Sequence, residues 1–199
     1  MDRKAGGGSQ EQDTSLVDDA NELLAYEKMF SEPGHLIRRL HQISVSIFME
    51  KVKDLDITQV QYATLLTIEF SPGIDQTRLG KAIALDRTTI SNVIGRLVAK
   101  GLIRREMLNL RTNALFITGA GRAITKVVTP HALSVAEMLL EPLTKIEAKE
   151  FQRILKKLIE AKNSASRAPY QALPRVRAAA IVKTKRSAVS KKTATRKII

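Results

Sequence analysis

Six side chains with cationic or hydrogen-bonding ends crowd one short stretch: Arg87, Thr88, Thr89, Ser91, Asn92 and Arg96. Between them Ile90, Val93, Ile94, Leu97 and Val98 fall at i, i+3, i+4, i+7 and i+8, the period of a helix with one apolar face. The opposite face then carries Thr88, Ser91, Asn92, Gly95 and Ala99, flanked by Thr89 and Arg96. Hydroxyl and amide groups of this kind exchange hydrogen bonds but do not titrate near neutrality, so their chemistry is recognition rather than bond making. A face of small side chains also lets the helix backbone approach its target. That suits the major groove of duplex DNA, about 12 Å wide, where Thr, Ser and Asn reach base edges or phosphates. Taken alone, the same face would serve equally well as a solvated helix surface.

The elements around this helix tip the balance. Asp86 is placed to cap its first turn, Gly101 to end it after Lys100, and a short helix from Gln76 to Ile83 precedes it. Leu102 to Leu108 and Ala114 to Thr118 read as strands, and the polar link Asn109-Leu110-Arg111-Thr112-Asn113 reads as a hairpin tip. Two helices joined by a tight turn and followed by a β-hairpin outline a winged helix-turn-helix, whose second helix enters a major groove.

Further out, His35 to Lys53 shows an apolar face of Leu36, Ile37, Leu40, Ile43, Ile47 and Phe48. A helix from Gln59 to Phe70 comes next, capped by Thr58 and stopped by Ser71-Pro72-Gly73. Helical pattern returns from Gly119 to Leu140 and from Leu143 to Ala161, with Pro142 between them. The expected fold is mainly α with a small β-hairpin wing. Residues 1–33 are expected to form a flexible arm containing a short helix that Pro33-Gly34 closes. Residues 34–163 form the winged helix-turn-helix domain, with a DNA-binding lobe at about 57–118. Residues 164–199 form a basic disordered tail.

The charge distribution supports an anionic partner. The chain carries 33 Lys and Arg against 20 Asp and Glu, a net charge of +13. Ten of the basic residues, and no acid, lie in 164–199, which leaves about +3 on residues 1–163. A tail of that kind could coat DNA without reading its sequence, so a nucleoid-associated coating protein is the alternative to a sequence-reading regulator.

Catalysis finds little support. The three histidines, His35, His41 and His131, lack metal-ligand spacing, and neither a nucleophile elbow nor a Gly-rich phosphate loop is present. With no cysteine there is no disulfide framework, thiolate metal site or thiol redox switch. No catalytic residue, metal or cofactor is expected. The first thirty residues are Gly-rich and acidic, and no apolar run approaches the ~20 residues that span a bilayer, so the expected location is the cytoplasm, away from membranes.

Several of these residues fall in a familiar order: Ile57-Thr58, Gln61, Asp86-Arg87-Thr88-Thr89-Ile90-Ser91, Arg96-Leu97, Lys100-Gly101-Leu102-Ile103-Arg104-Arg105 and Ile117-Thr118-x-x-Gly121. Over roughly His35 to Ala161 the chain resembles the MarR family of transcription regulators. The resemblance implies a homodimer in which the first and last helices, 35–53 and 119–163, interlock as a dimerisation domain. Two winged lobes would then straddle a pseudo-palindromic operator. It makes Arg111 the wing arginine that enters the minor groove. The family has an Asp two positions earlier to brace that arginine, whereas this chain has Asn109, which accepts a hydrogen bond without charge assistance.

The resemblance also implies a repressor that releases DNA when a small, often aromatic and anionic effector binds. Arg39 and His41 flank the apolar face of the 35–53 helix and Tyr62 lies on the next, so a cation, a titratable donor and a ring are available for a carboxylate effector. An Arg and a His at such an edge more often pair across a dimer interface than bind a ligand.

Overall fold

The structure, a computed structural model, describes residues 22, 24–109 and 112–173. The chain divides after Ile47 into two compact units. In the first, residues 24–31 are helical, the chain bends at Glu32, and helix α1 (Pro33–Lys51) begins; it runs on past the boundary. Pro33 therefore opens a helix as well as closing one, since its missing N–H falls among the first-turn donors that have no intrahelical partner. Tyr26 and Phe30 meet edge to face at 4.8 Å, and Phe30 meets the His35 ring at 5.0 Å.

In the second unit the end of α1 is followed by a turn of 3-10 helix, Lys53–Leu55, and a left-handed Asp56 (φ 47°). Thr58 then opens helix α2 (Gln59–Phe70) with a reciprocal cap: its hydroxyl accepts from the Gln61 N–H, and the Gln61 side-chain oxygen accepts from the Thr58 N–H, both at 3.2 Å. Strand β1 (Ile74–Asp75) leads into helix α3 (Gln76–Ala82), capped by Asp75, and a turn through a left-handed Ala84 (φ 54°) leads to helix α4 (Arg87–Ala99). Strands β2 (Ile103–Asn109) and β3 (Thr112–Ile117) come next, then helices α5 (Gly119–Leu140) and α6 (Lys145–Lys162).

The sheet is antiparallel in the order β1-β3-β2. Ile103 pairs with Ile117 and Arg105 with Leu115, and after a register shift beyond Met107 the ladder continues to Asn109 and Thr112. Pairing thus takes in Asn109, Thr112 and Asn113, which the sequence pattern assigns with Leu110 and Arg111 to the hairpin tip. Leu110 and Arg111 lie outside the described residues. Strand β1, which joins β3 through Ile74 and Leu115, has no sequence signature, since two residues cannot show a period.

The core joins Leu65 and Ile68 of α2, Leu79 of α3, Ile90, Ile94 and Leu97 of α4, Ile103 and Leu115 of the sheet and Val128 of α5, all but fully buried. Each such side chain contributes roughly 1.5–3 kcal/mol of apolar burial. Of the α4 residues assigned to the apolar face, Val93 is half-buried and Val98 exposed, so the packed stripe is narrower than the pattern. Thr118 ties the wing to α5. Its Oγ accepts from the Gly121 N–H at 3.0 Å, and its own proton faces the Gly101 and Leu102 carbonyls at 2.8 and 3.0 Å. A Cβ on Gly121 would lie 2.1 Å from the Leu102 oxygen, so only glycine allows this approach. α5 passes through Pro130 without ending, a position the sequence pattern leaves unmarked.

Beyond α6 the chain does not leave the domain at once. Asn163–Ala165 form a 3-10 turn, and the Asn163 amide clamps Tyr170 with two bonds: Nδ2 donates to the Tyr170 carbonyl (3.0 Å), and Oδ1 accepts its N–H (2.8 Å). The Gln171 N–H then donates to the Lys81 carbonyl of α3 at 2.9 Å. Residues 164–171, expected to begin a free arm, are therefore tied back within the second unit through Tyr170 and Gln171. Polar composition did not reveal this, because the Asn163 amide finds its partners on the backbone and the Gln171–Lys81 bond uses only backbone groups, which nearly every residue carries.

Candidate nucleic-acid interface

The recognition surface is built from the cap of α4. Asp86 Oδ1 accepts from the Thr89 N–H at 2.9 Å while the Thr89 hydroxyl donates to Asp86 Oδ2 at 2.7 Å. These bonds, the backbone one foremost, hold the Asp86 carboxyl below its ordinary value, so it is ionised at neutral pH. The cap fixes the direction in which the helix leaves the turn. It also commits the Thr89 proton, so that Thr89 can offer a ligand only acceptor lone pairs.

Ile90, Ile94 and Leu97 face the core. Arg87, Thr88, Ser91, Asn92 and Arg96 are all exposed, as is Gly95, whose missing side chain faces open space. Thr88, Ser91, Asn92, Gly95 and Ala99 line one face at helical spacing and Arg87 and Arg96 supply cations beside it. Lys100 at the end of α4 is held by an ion pair with Asp56 Oδ2 (2.9 Å) and by the Asp56 carbonyl. That anchors the helix to the turn before α2. On the wing, Arg104 lies 4.8 Å from the Phe116 ring centroid and is paired with Glu106, while Arg105 is exposed. Arg111 lies outside the described residues.

A concave surface of about 700 Å³ borders this helix. Gln76, Thr77, Gly80 and Lys81 of α3 and Asp86, Arg87 and Ile90 line one side, and Arg167, Ala168 and Pro169 from the C-terminal segment line the other. Sequence reasoning missed that contribution. A second cavity, about 450 Å³ and mostly apolar, lies among Ile57, Leu102, Ala123, Ile124 and Val127, with Asp56 and Lys100 at its edge.

Of the three residues expected to contact an effector, Arg39 and His41 are exposed on α1. Tyr62 is half-buried on α2, its hydroxyl donates to Thr129 Oγ at 3.1 Å and its ring is 6.2 Å from that of Phe48. Among the described residues no cluster of three or more His, Asp or Glu is placed to hold a metal ion, and no helix is long and apolar enough to cross a membrane.

A helix with an exposed polar face, set behind a short helix and a tight turn and followed by an antiparallel hairpin, defines a DNA-binding protein of the winged helix-turn-helix class. Comparison with known proteins narrows this. Residues 55–108 match the model of the MarR family. The transcriptional regulator HosA of Escherichia coli O111:H- is 30% identical over 129 residues, 64% of this chain and 94% of HosA. The HTH-type transcriptional repressor NicR of Pseudomonas putida is 28% identical over 66% of this chain and 85% of NicR. Among solved structures, Bordetella bronchiseptica BpsR, described as regulated in its DNA binding by 6-hydroxynicotinic acid, superposes with a TM-score of 0.63 at 27% identity, covering 66% of this chain and 96% of BpsR. The chain belongs to the MarR family of DNA-binding transcription regulators.

Proposed function

We propose that this protein is a cytoplasmic, non-enzymatic repressor that binds a pseudo-palindromic operator as a homodimer and releases it when a small aromatic carboxylate binds. The observation that carries the reading is the α4 face, where Thr88, Ser91, Asn92 and Gly95 leave a helix backbone open to close approach beside Arg87 and Arg96. Base readout falls to Thr88, Ser91 and Asn92, with Thr89 accepting from a base amino group, and phosphate contact to Arg87, Arg96 and the wing residue Arg111.

Unpartnered apolar surface supports the dimer. α6 has no buried residue, with Ile146 81% and Leu158 50% exposed, and Leu36, Ile37 and Ile43 of α1 are also exposed. Helices with such faces are stable when a second copy covers them. NicR's description as a repressor and the regulation of BpsR by an aromatic acid support repression and its relief. Arg39 and His41 are our proposed contacts for the effector carboxylate and Tyr62 for its ring, since the Tyr62 hydroxyl is already engaged by Thr129.

The test is fluorescence anisotropy of the full chain on its own upstream intergenic DNA and on a scrambled duplex, across a salt series, with and without 6-hydroxynicotinic acid as probe. Sedimentation gives the oligomeric state. Operator reading requires the native duplex to bind by orders of magnitude more tightly. Equal binding of both duplexes would make the chain a coating protein that acts through its tail.

A further inference from the structure

Reading of an operator by α4 gives no role to the C-terminal segment or to the surface it lies on. Residues 163–171 fold back as a strap: the Asn163 amide clamps Tyr170 at both its N–H and its carbonyl, Ser166 Oγ accepts from the Ala168 N–H at 3.1 Å, and the Gln171 N–H is bonded to Lys81. The strap brings Arg167, Ala168 and Pro169 against the concave surface shared by the start of α3 and by Asp86 and Arg87 of α4. The bonded carbonyl belongs to the last turn of α3, where a helix has carbonyls without partners of its own. Thr88, Ser91, Asn92 and Arg96 do not line that surface, so the strap leaves the reading face uncovered.

Beyond the strap lies the most basic part of the chain. Residues 174–199 contain nine Lys and Arg and no acid. Leaving directly from the end of α6, these charges would be tethered to the last helix. Leaving from Gln171, they start beside the turn between α3 and α4. A chain of this length spans at most about 90 Å when extended. That limit exceeds the ~34 Å of one duplex turn.

We propose that the strap is a docking device that anchors the basic tail beside the recognition helix, so that its charges engage the phosphates flanking each operator half-site. This rests on the operator reading of α4 and adds a second, sequence-independent contact to it. The tail raises affinity through local concentration and counterion release, with specificity left to α4. The strap makes the gain depend on flanking DNA and not on the operator core.

The experiment compares binding to a short duplex carrying only the operator core with binding to a long one that adds flanks of about one turn (~10 bp) on each side. Four full-length variants are set beside the unsubstituted chain. Lys183→Gln, Lys185→Gln and Arg186→Gln are combined in one to reduce the tail charge. Gln171→Pro removes the N–H that bonds Lys81, whereas Gln171→Ala keeps it. Asn163→Ala, which breaks the clamp at the other end of the strap, checks Gln171→Pro independently, and thermal melts confirm that all are folded.

The unsubstituted chain is expected to prefer the long duplex by about tenfold or more at low salt, with a salt slope steeper by about 0.9 for each added phosphate contact. The charge-reduced protein, Gln171→Pro and Asn163→Ala should lose most of that preference, and Gln171→Ala should keep it. A flank preference that survives in both Gln171→Pro and Asn163→Ala overturns the proposal, since the tail would then act without the strap. Tighter binding of those two variants to the short duplex overturns it too, because the strap would be competing with DNA. If native and scrambled cores bind alike while the flank preference and its loss persist, the operator reading fails and the docking device stands.

Discussion

Glycine in the middle of a helix is unfavourable, yet Gly95 occupies the third turn of α4. Its amide belongs to a regular helix and a Cβ built on it meets no heavy atom within 4 Å. Replacing a helical glycine by alanine at such a site stabilises a protein by about 0.8–1 kcal/mol, so Gly95→Ala should raise Tm by roughly 2–5 °C. The reading face lies on the same side as Thr88, Ser91 and Asn92, and there the added methyl would stand between the helix backbone and the groove. If the backbone approaches DNA closely, the methyl costs about 1–3 kcal/mol of overpacking in the complex, a loss of roughly 5- to 150-fold in operator affinity. Differential scanning fluorimetry and anisotropy on the operator duplex measure the two effects in the same preparation. The reasoning predicts opposite signs. Unchanged or tighter operator binding would refute the close approach of this face to DNA, and a lowered Tm would refute the open helical geometry at Gly95.

Gly121→Ala should destabilise the protein by about 3 kcal/mol in urea denaturation, because the new Cβ is aimed at the Leu102 carbonyl and at Ile117 Cγ1, 2.7 Å away, while Gly119→Ala, in open space, should stay within about 0.5 kcal/mol. The Asp86 cap carries a pH dependence of definite sign: its folded pKa lies below its ordinary 3.8, so the cap's contribution is present above that value and is lost as pH falls through the folded pKa. Thr89→Val removes the hydroxyl donor and keeps the backbone one. The Asp86 titration followed by carboxyl-carbon NMR should then move up part of the way towards 3.8, and no movement would show that the hydroxyl bond does not form.

The order of elements was legible because each has a local cause. Asp86, Thr58 and Thr118 cap helices with their own side chains, and Ile90, Ile94 and Leu97 mark a buried stripe through 3.6-residue spacing. The exposed polar face of α4 comes from the same period, so the candidate recognition residues could be named before any fold was known. Both the caps and the period act within a few residues, where sequence separation and spatial separation are nearly the same.

Contacts between distant segments were decided only by the tertiary structure. The pairing of Ile74 with Leu115, the closure of the wing ladder as far as Asn109 and Thr112, and the contact of Gly121 with Leu102 join segments whose sequences do not refer to one another. The strap is the strongest case. Gln171 is bonded to Lys81 through backbone N–H and C=O groups alone, and these are identical at every non-proline residue. Sequence therefore determined which residues could recognise DNA, whereas the packed chain determined that a segment ninety positions from Lys81 lies beside them.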